Sequence, residues 1–95
     1  MNEKDIESRF RKAVKDAGGL ALKFVSPGYS GVPDRIVLMP RGMMCFVELN
    51  APGKVMRPLQ MRRKKQMESL GFRVYCIDSI EQIKDLINEM GGDAK

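Results

Sequence analysis

The 95-residue sequence has no histidine, no tryptophan and only two cysteines. Each absence closes off chemistry. Without histidine there is no Ser-His or Cys-His nucleophile pair, no imidazole general base and no His-ligated zinc or haem. Cys45 and Cys76 both lie in apolar runs, so they read as packed, reduced thiols rather than a disulfide frame or a zinc site. Catalysis is left to carboxylates, Lys and Arg, amides, hydroxyls or a metal held by oxygen, and no organic cofactor is expected. Long apolar runs are missing too. None approaches the ~18–20 residues of a bilayer span, and the opening MNEKDIESRF has no apolar leader segment. The expectation is a cytoplasmic protein with no membrane partner. This length supports one domain that buries roughly 60–65% of its extended-chain surface, expected over residues 1–92 with 93–95 as a frayed tail.

What the sequence does have is concentrated positive charge. Residues 1–53 carry eight basic and six acidic side chains, and residues 66–95 carry three basic and six acidic. The stretch 54–65, KVMRPLQMRRKK, carries six basic and none acidic, which exceeds the net +5 of the whole chain. A solvated helix face ordinarily mixes signs, because crowded like charges repel. The stretch therefore reads either as a merely basic helix or as a surface for a polyanion, with DNA or RNA phosphate the commonest such partner. Lys54, Arg57, Arg62, Arg63, Lys64 and Lys65 are its candidate contacts.

Hydrophobic periodicity orders the chain. Ile6, Phe10, Ala13, Val14 and Ala17 share one face of a helix over 3–17, stopped by Gly18-Gly19. Alternation predicts a strand over 20–25, and SPGYSGVP (26–33) must be a loop. Strands over 34–39 and 43–49 flank Pro40-Arg41-Gly42 as a hairpin. After a loop over 50–57, Pro58 opens a helix to about Leu70, with Leu59, Met67 and Leu70 inward. A strand over 72–77 follows. Asp78-Ser79 then caps a last helix whose inner face is Ile80, Ile83, Ile87 and Met90, with Glu81 or Gln82 closing the capping box. The order α-β-β-β-α-β-α predicts an α/β fold, a mixed sheet flanked by helices, with a parallel crossover between the third and fourth strands.

Two acidic residues stand out on the hairpin. With Pro40–Gly42 as the loop, paired positions sum to 82, so Asp34 faces Glu48. Directly opposed residues on one sheet face have Cβ atoms ~4.5–5.5 Å apart, and like charges at that range destabilise a sheet. A shared hard cation resolves the conflict, and two carboxylates with backbone oxygen and water suit Mg²⁺ or Mn²⁺. The alternative is structural: Asp34 starts a strand, and Glu48 pairs with Arg35 or Arg73. Glu7, on the first helix, is a third candidate ligand or an ordinary solvent-facing glutamate. Gln60 either holds a water or phosphate or is plain helix surface, and Tyr29 either stacks on a base or packs its loop.

Gly31-Val32-Pro33-Asp34, Glu48-Leu49-Asn50, Ala51-Pro52-Gly53-Lys54 and Pro58-Leu59-Gln60 together resemble the virus-type replication-repair nuclease (VRR-NUC) domain. That domain is a branch of the PD-(D/E)XK nuclease superfamily. The match spans nearly the whole chain, which looks like a small stand-alone, phage-type member. The resemblance implies the restriction-endonuclease-like α-β-β-β-α-β core and a metal-dependent DNA endonuclease in a bacterial host. It also implies Mg²⁺ or Mn²⁺ held by Asp34, Glu48 and the carbonyl of Leu49, a helix acid at Glu7, and a glutamine at Gln60. Stand-alone relatives are similar to Holliday-junction resolvases in forming homodimers that cut branched, four-way or flap DNA.

One position departs from that motif. E-x-K places a lysine where this chain has Asn50. An amide can orient water but carries no positive charge. Loss of a comparable preorganised contact costs ~10²–10³ in rate. Either the chain is impaired or Lys54 or Lys23 compensates. A nuclease, a DNA-binding module that no longer cuts, and a basic α/β protein acting through RNA or protein partners are the three readings that remain.

Overall fold

The computed structural model describes residues 1–91. Its elements are α1 (Glu3–Asp16), β1 (Leu20–Lys23), β2 (Arg35–Leu38), β3 (Met44–Leu49), α2 (Pro58–Ser69), β4 (Val74–Ile77) and α3 (Ile80–Glu89). The order and type of every element match the expectation. The expected domain end at residue 92 and the tail 93–95 lie outside the described residues.

Local chemistry sets the boundaries. Asn2 caps α1 by accepting from the Asp5 N–H at 3.0 Å while its own N–H donates to the Asp5 carboxylate, also at 3.0 Å. Ser79 caps α3 in the same way, with Gln82, not Glu81, closing the box. Between β2 and β3 a 3-10 turn over Pro40–Gly42 places Arg41 at φ 64, a left-handed conformation that reverses the chain within three residues.

The strands form one sheet in the order β1-β2-β3-β4. β1–β2 and β2–β3 are antiparallel, and β3–β4 is parallel across the α2 crossover. Arg35 pairs with Val47 and Leu38 with Met44, so partner numbers sum to 82 and the expected hairpin register is the one adopted.

One sheet face carries the core. Ile6, Phe10 and Val14 of α1 and Ile83 and Leu86 of α3 are buried over Val37, Cys45, Val47, Leu49 and Ile77. Full burial of a Phe or Leu side chain stabilises by about 1.5–3 kcal/mol each, so this layer holds the hairpin rigid. The inner face expected for α3 gains Leu86, while Ile80 and Ile87 are only partly buried.

The opposite face is different. Leu59, Met67 and Leu70 do not form a buried face on α2. No residue of α2 is buried, and Leu70 is 75% exposed. The reason lies in the sheet, whose second face is left largely open: Leu20, Leu22, Leu38 and Phe72 are 59, 45, 40 and 46% exposed. Phe24, Phe46 and Phe72 touch in series there, with ring centroids 5.6 and 6.0 Å apart. Among the described residues no helix is long and apolar enough to cross a membrane.

Candidate functional site

Side chains alternate along β3, so Val47 and Leu49 enter the core while Glu48 and Asn50 point to the α2 side. Glu48 is 2% exposed. One register step beyond Arg35–Val47, Asp34 stands opposite it. Asp34 is anchored through its carboxylate, where Oδ2 accepts from the Leu49 N–H at 3.0 Å, and through its carbonyl, which accepts from the Phe24 N–H at 2.7 Å. Asp34 is thus fixed by backbone contacts to the chain on either side of it.

Glu48 is only half satisfied. Gln60 Nε2 donates to Oε2, but Oε1 is buried with no hydrogen-bond partner. Neither arginine suggested as its partner takes the role. Arg35 Nη2 binds Glu7 Oε2 at 2.7 Å, and Arg73 Nη1 donates to the Glu89 carbonyl at 3.3 Å. Burial pushes the Glu48 carboxyl up to about 7, and the neighbouring Asp34 charge adds to the rise; the Asp34 amide and Arg57 offset part of it. A buried carboxylate oxygen without a hydrogen bond is costly. Here it stands beside a second carboxylate. Two adjacent carboxylates with one oxygen unsatisfied have donor chemistry that fits a hard divalent ion.

The remaining expected ligands divide. The Leu49 side chain is in the core and its N–H is on Asp34, so only its carbonyl could serve. Glu7 is held by Arg35, which lowers its carboxyl below the usual range. Among the described residues no group of three acidic, cysteine or histidine side chains is close enough to hold a metal. The α1 acid whose charge reaches Glu48 is Glu3, which sequence reasoning missed. It lies one helical turn before Glu7 on the same side of α1.

Asn50 is 8% exposed, and its Nδ2 donates to Cys76 Sγ at 3.2 Å. Gln60, at the start of α2, accepts from the Arg57 N–H at 2.8 Å through Oε1 while its amide nitrogen holds Glu48. It links the helix to the carboxylate.

The basic stretch also divides. Arg63 lies over the Tyr29 ring at 3.8 Å, and it donates to the Ser30 carbonyl at 2.8 Å and to Gln66 at 2.9 Å. Tyr29 Oη completes the latch on Gln66 at 3.2 Å. These two candidates for DNA contact are used to clamp the 26–33 loop onto α2. Lys64 pairs with Glu68 at 2.8 Å. Lys54, Arg57, Arg62 and Lys65 are exposed, and no ion pair engages them among the described residues.

Comparison with known proteins adds to this geometry. No family model matches the sequence. The chain is 44% identical over 79 residues to a protein named "Putative nuclease p44" from Acyrthosiphon pisum secondary endosymbiont phage 1, covering 83% of this chain and 85% of that one. Its structure is similar to a solved chain described as a "VRR_NUC domain", with a TM-score of 0.82 and 29% identity over 90% of this chain and 94% of the other.

Proposed function

Because the chain belongs to the VRR-NUC family of PD-(D/E)XK-like nucleases, we propose that it is a divalent-metal-dependent DNA endonuclease that cuts branched DNA as a homodimer. One observation carries the reading: the buried, unpartnered Oε1 of Glu48 opposite Asp34. Asp34, Glu48 and the Leu49 carbonyl are the groups that would hold Mg²⁺ or Mn²⁺. When bound, such an ion supplies Lewis acidity and lowers the pKa of water to near neutrality, the chemistry a chain without histidine otherwise lacks.

The chain's own residues do the rest. Gln60 holds one Glu48 oxygen and leaves the other turned to the cation site. Lys54, Arg62 and Lys65 offer phosphate contacts, each adding one released counterion to the binding equilibrium. The Arg63–Tyr29 latch keeps the glycine-containing loop against α2, beside the strand that carries Asp34. The exposed Leu20, Leu22, Leu38 and Phe72 on the open sheet face support a two-fold contact with a second copy, which presents two sites to two strands of a junction.

A second reading, a DNA-binding module that no longer cuts, is favoured by one observation, the amide at position 50. A single panel separates them: linear, nicked, flap and four-way DNA, with Mg²⁺, with Mn²⁺ and with EDTA, for the wild type and Asp34→Asn. The nuclease reading expects metal-dependent product, best on four-way DNA, reduced at least ~100-fold by Asp34→Asn. Binding that survives EDTA with no product in Mn²⁺ on any substrate overturns it in favour of the second reading. Sedimentation of wild type and Leu22→Glu tests the dimer, which the glutamate should dissociate.

A further inference from the structure

The carboxylate pair collects negative charge, and a phosphodiester brings more. A motif lysine would offset it, but Asn50 carries no charge and has its amide nitrogen turned onto Cys76. Three cations, Lys23, Lys54 and Arg57, are candidates to substitute. Lys23 is paired across the sheet with Arg35, and its charge acts on Glu7, in the Arg35–Glu7 pair on the α1 side. Lys54 sits at the end of an exposed turn closed by its own N–H on the Ala51 carbonyl at 3.0 Å, with no contact leading from it to the carboxylates.

Arg57 is placed differently. It is the N-cap residue of α2. Its N–H donates to Gln60 Oε1, and the other end of that amide donates to Glu48 Oε2. The arginine backbone is therefore two hydrogen bonds from the buried carboxylate, in a geometry fixed by Pro58 behind it. Its side chain is exposed and without an ion pair among the described residues.

We propose that Arg57 supplies the positive charge that the E-x-K lysine would supply, its guanidinium gripping the non-bridging oxygens of the scissile phosphate from the start of α2. A guanidinium presents paired donors to phosphate and stays protonated at any working pH. It thereby offsets charge without acting as a proton carrier. The proposal rests on the nuclease reading above and concerns only this chain's replacement for a missing cation.

The test compares wild type, Arg57→Ala, Arg57→Lys, Asn50→Lys and the Asn50→Lys/Arg57→Ala double variant. Single-turnover cleavage with protein in excess removes the effect of affinity. Arg57→Ala should lose about 100-fold in rate, the scale of a lost preorganised contact, and Arg57→Lys should recover most of it. A lysine at position 50 should make Arg57 dispensable, shrinking the alanine loss to under about tenfold, a coupling that independent sites do not show. A readout without turnover is Mn²⁺ binding to the free protein by calorimetry. Removing a nearby like charge should tighten it about threefold, which a purely structural role would not do. A wild type that cuts, with Arg57→Ala within about threefold of it in rate, overturns the proposal and leaves the nuclease reading standing. Unchanged or weaker Mn²⁺ binding in Arg57→Ala also overturns it. Should Asn50→Lys not fold, the lysine rescue at position 57 and the Mn²⁺ measurement decide alone. A wild type that gives no product with either metal removes both readings together.

Discussion

Replacing Glu48 by glutamine should make the metal-free protein more stable at alkaline pH while destroying the proposed cation site. The folded carboxyl is raised from 4.5 to about 7, first by burial and then by Asp34. Between those values the folded state holds a proton that the unfolded state releases. The sign follows: this group's contribution to stability is full below about pH 4.5 and is lost as pH rises through about 7. At about 1.4 kcal/mol per pH unit the ceiling is about 3 kcal/mol. A glutamine side chain would keep an acceptor for Gln60 and put an amide, not a charge, opposite Asp34. We therefore expect Glu48→Gln to match wild type at pH 5 and to exceed it by about 2 kcal/mol at pH 8 in EDTA, read by urea unfolding. The window is clean because the chain has no histidine, the side chain that ordinarily titrates there. Adding Mg²⁺ or Mn²⁺ at 100 times its Kd should stabilise wild type by about 2.7 kcal/mol and leave the variant unmoved. Equal stabilities at pH 8, or a wild-type pH profile that persists in the variant, would refute the claim that Glu48 carries a buried, unsatisfied charge.

Two further outcomes test the frame around the site. Gly31 and Gly28 both have positive φ, 87 and 78, but a Cβ on Gly31 would meet Leu59 Cγ at 2.7 Å, whereas one on Gly28 meets nothing within 4 Å. Gly28→Ala should thus cost only the left-handed strain, about 1–2 kcal/mol. Gly31→Ala should cost at least about 1 kcal/mol more and raise protease cleavage in 26–33, and equal thermal shifts would remove the Leu59 contact from the argument. On the DNA side, Arg62→Ala with Lys65→Ala should lower the slope of log K against log salt by about 2, by fluorescence anisotropy. Lys64→Ala should lower it by less, since Lys64 is paired with Glu68; a Lys64 effect as large as that of Arg62 would contradict the assignment.

The hairpin was legible because a three-residue turn leaves one register that keeps Val37, Cys45 and Val47 on the core side, and with it came the Asp34–Glu48 pair. The cap of the last helix was legible because Ser79 and Gln82 act within four residues. What escaped was long-range. Periodicity marks apolar positions on α2 but cannot say that the sheet beneath leaves them uncovered, so it gives Leu59, Met67 and Leu70 a face that Leu70, at 75% exposure, disproves. Composition marks Arg63 and Lys64 as positive but cannot show that Tyr29, Gln66 and Glu68 have engaged them. The Asn50–Cys76 contact joins strands 26 residues apart, beyond any local signal.

The first two of these misses share α2, and that helix is informative. A helix with no buried residue gains little from the hydrophobic effect, which holds most helices in place. What fixes α2 is polar: Gln60 on Glu48, Arg63 and Gln66 on the 26–33 loop, and the turn through Arg57. Each such bond is worth only about 0.5–1.5 kcal/mol net. All but the last join it to the carboxylate or to the loop preceding Asp34. Its solvent side is then free to carry Arg62 and Lys65 without a desolvation cost. The basic stretch and the unpaired carboxylate, separate features of the sequence, are the two sides of one lightly held helix, so phosphate bound on its outer side will bear directly on the geometry of Glu48.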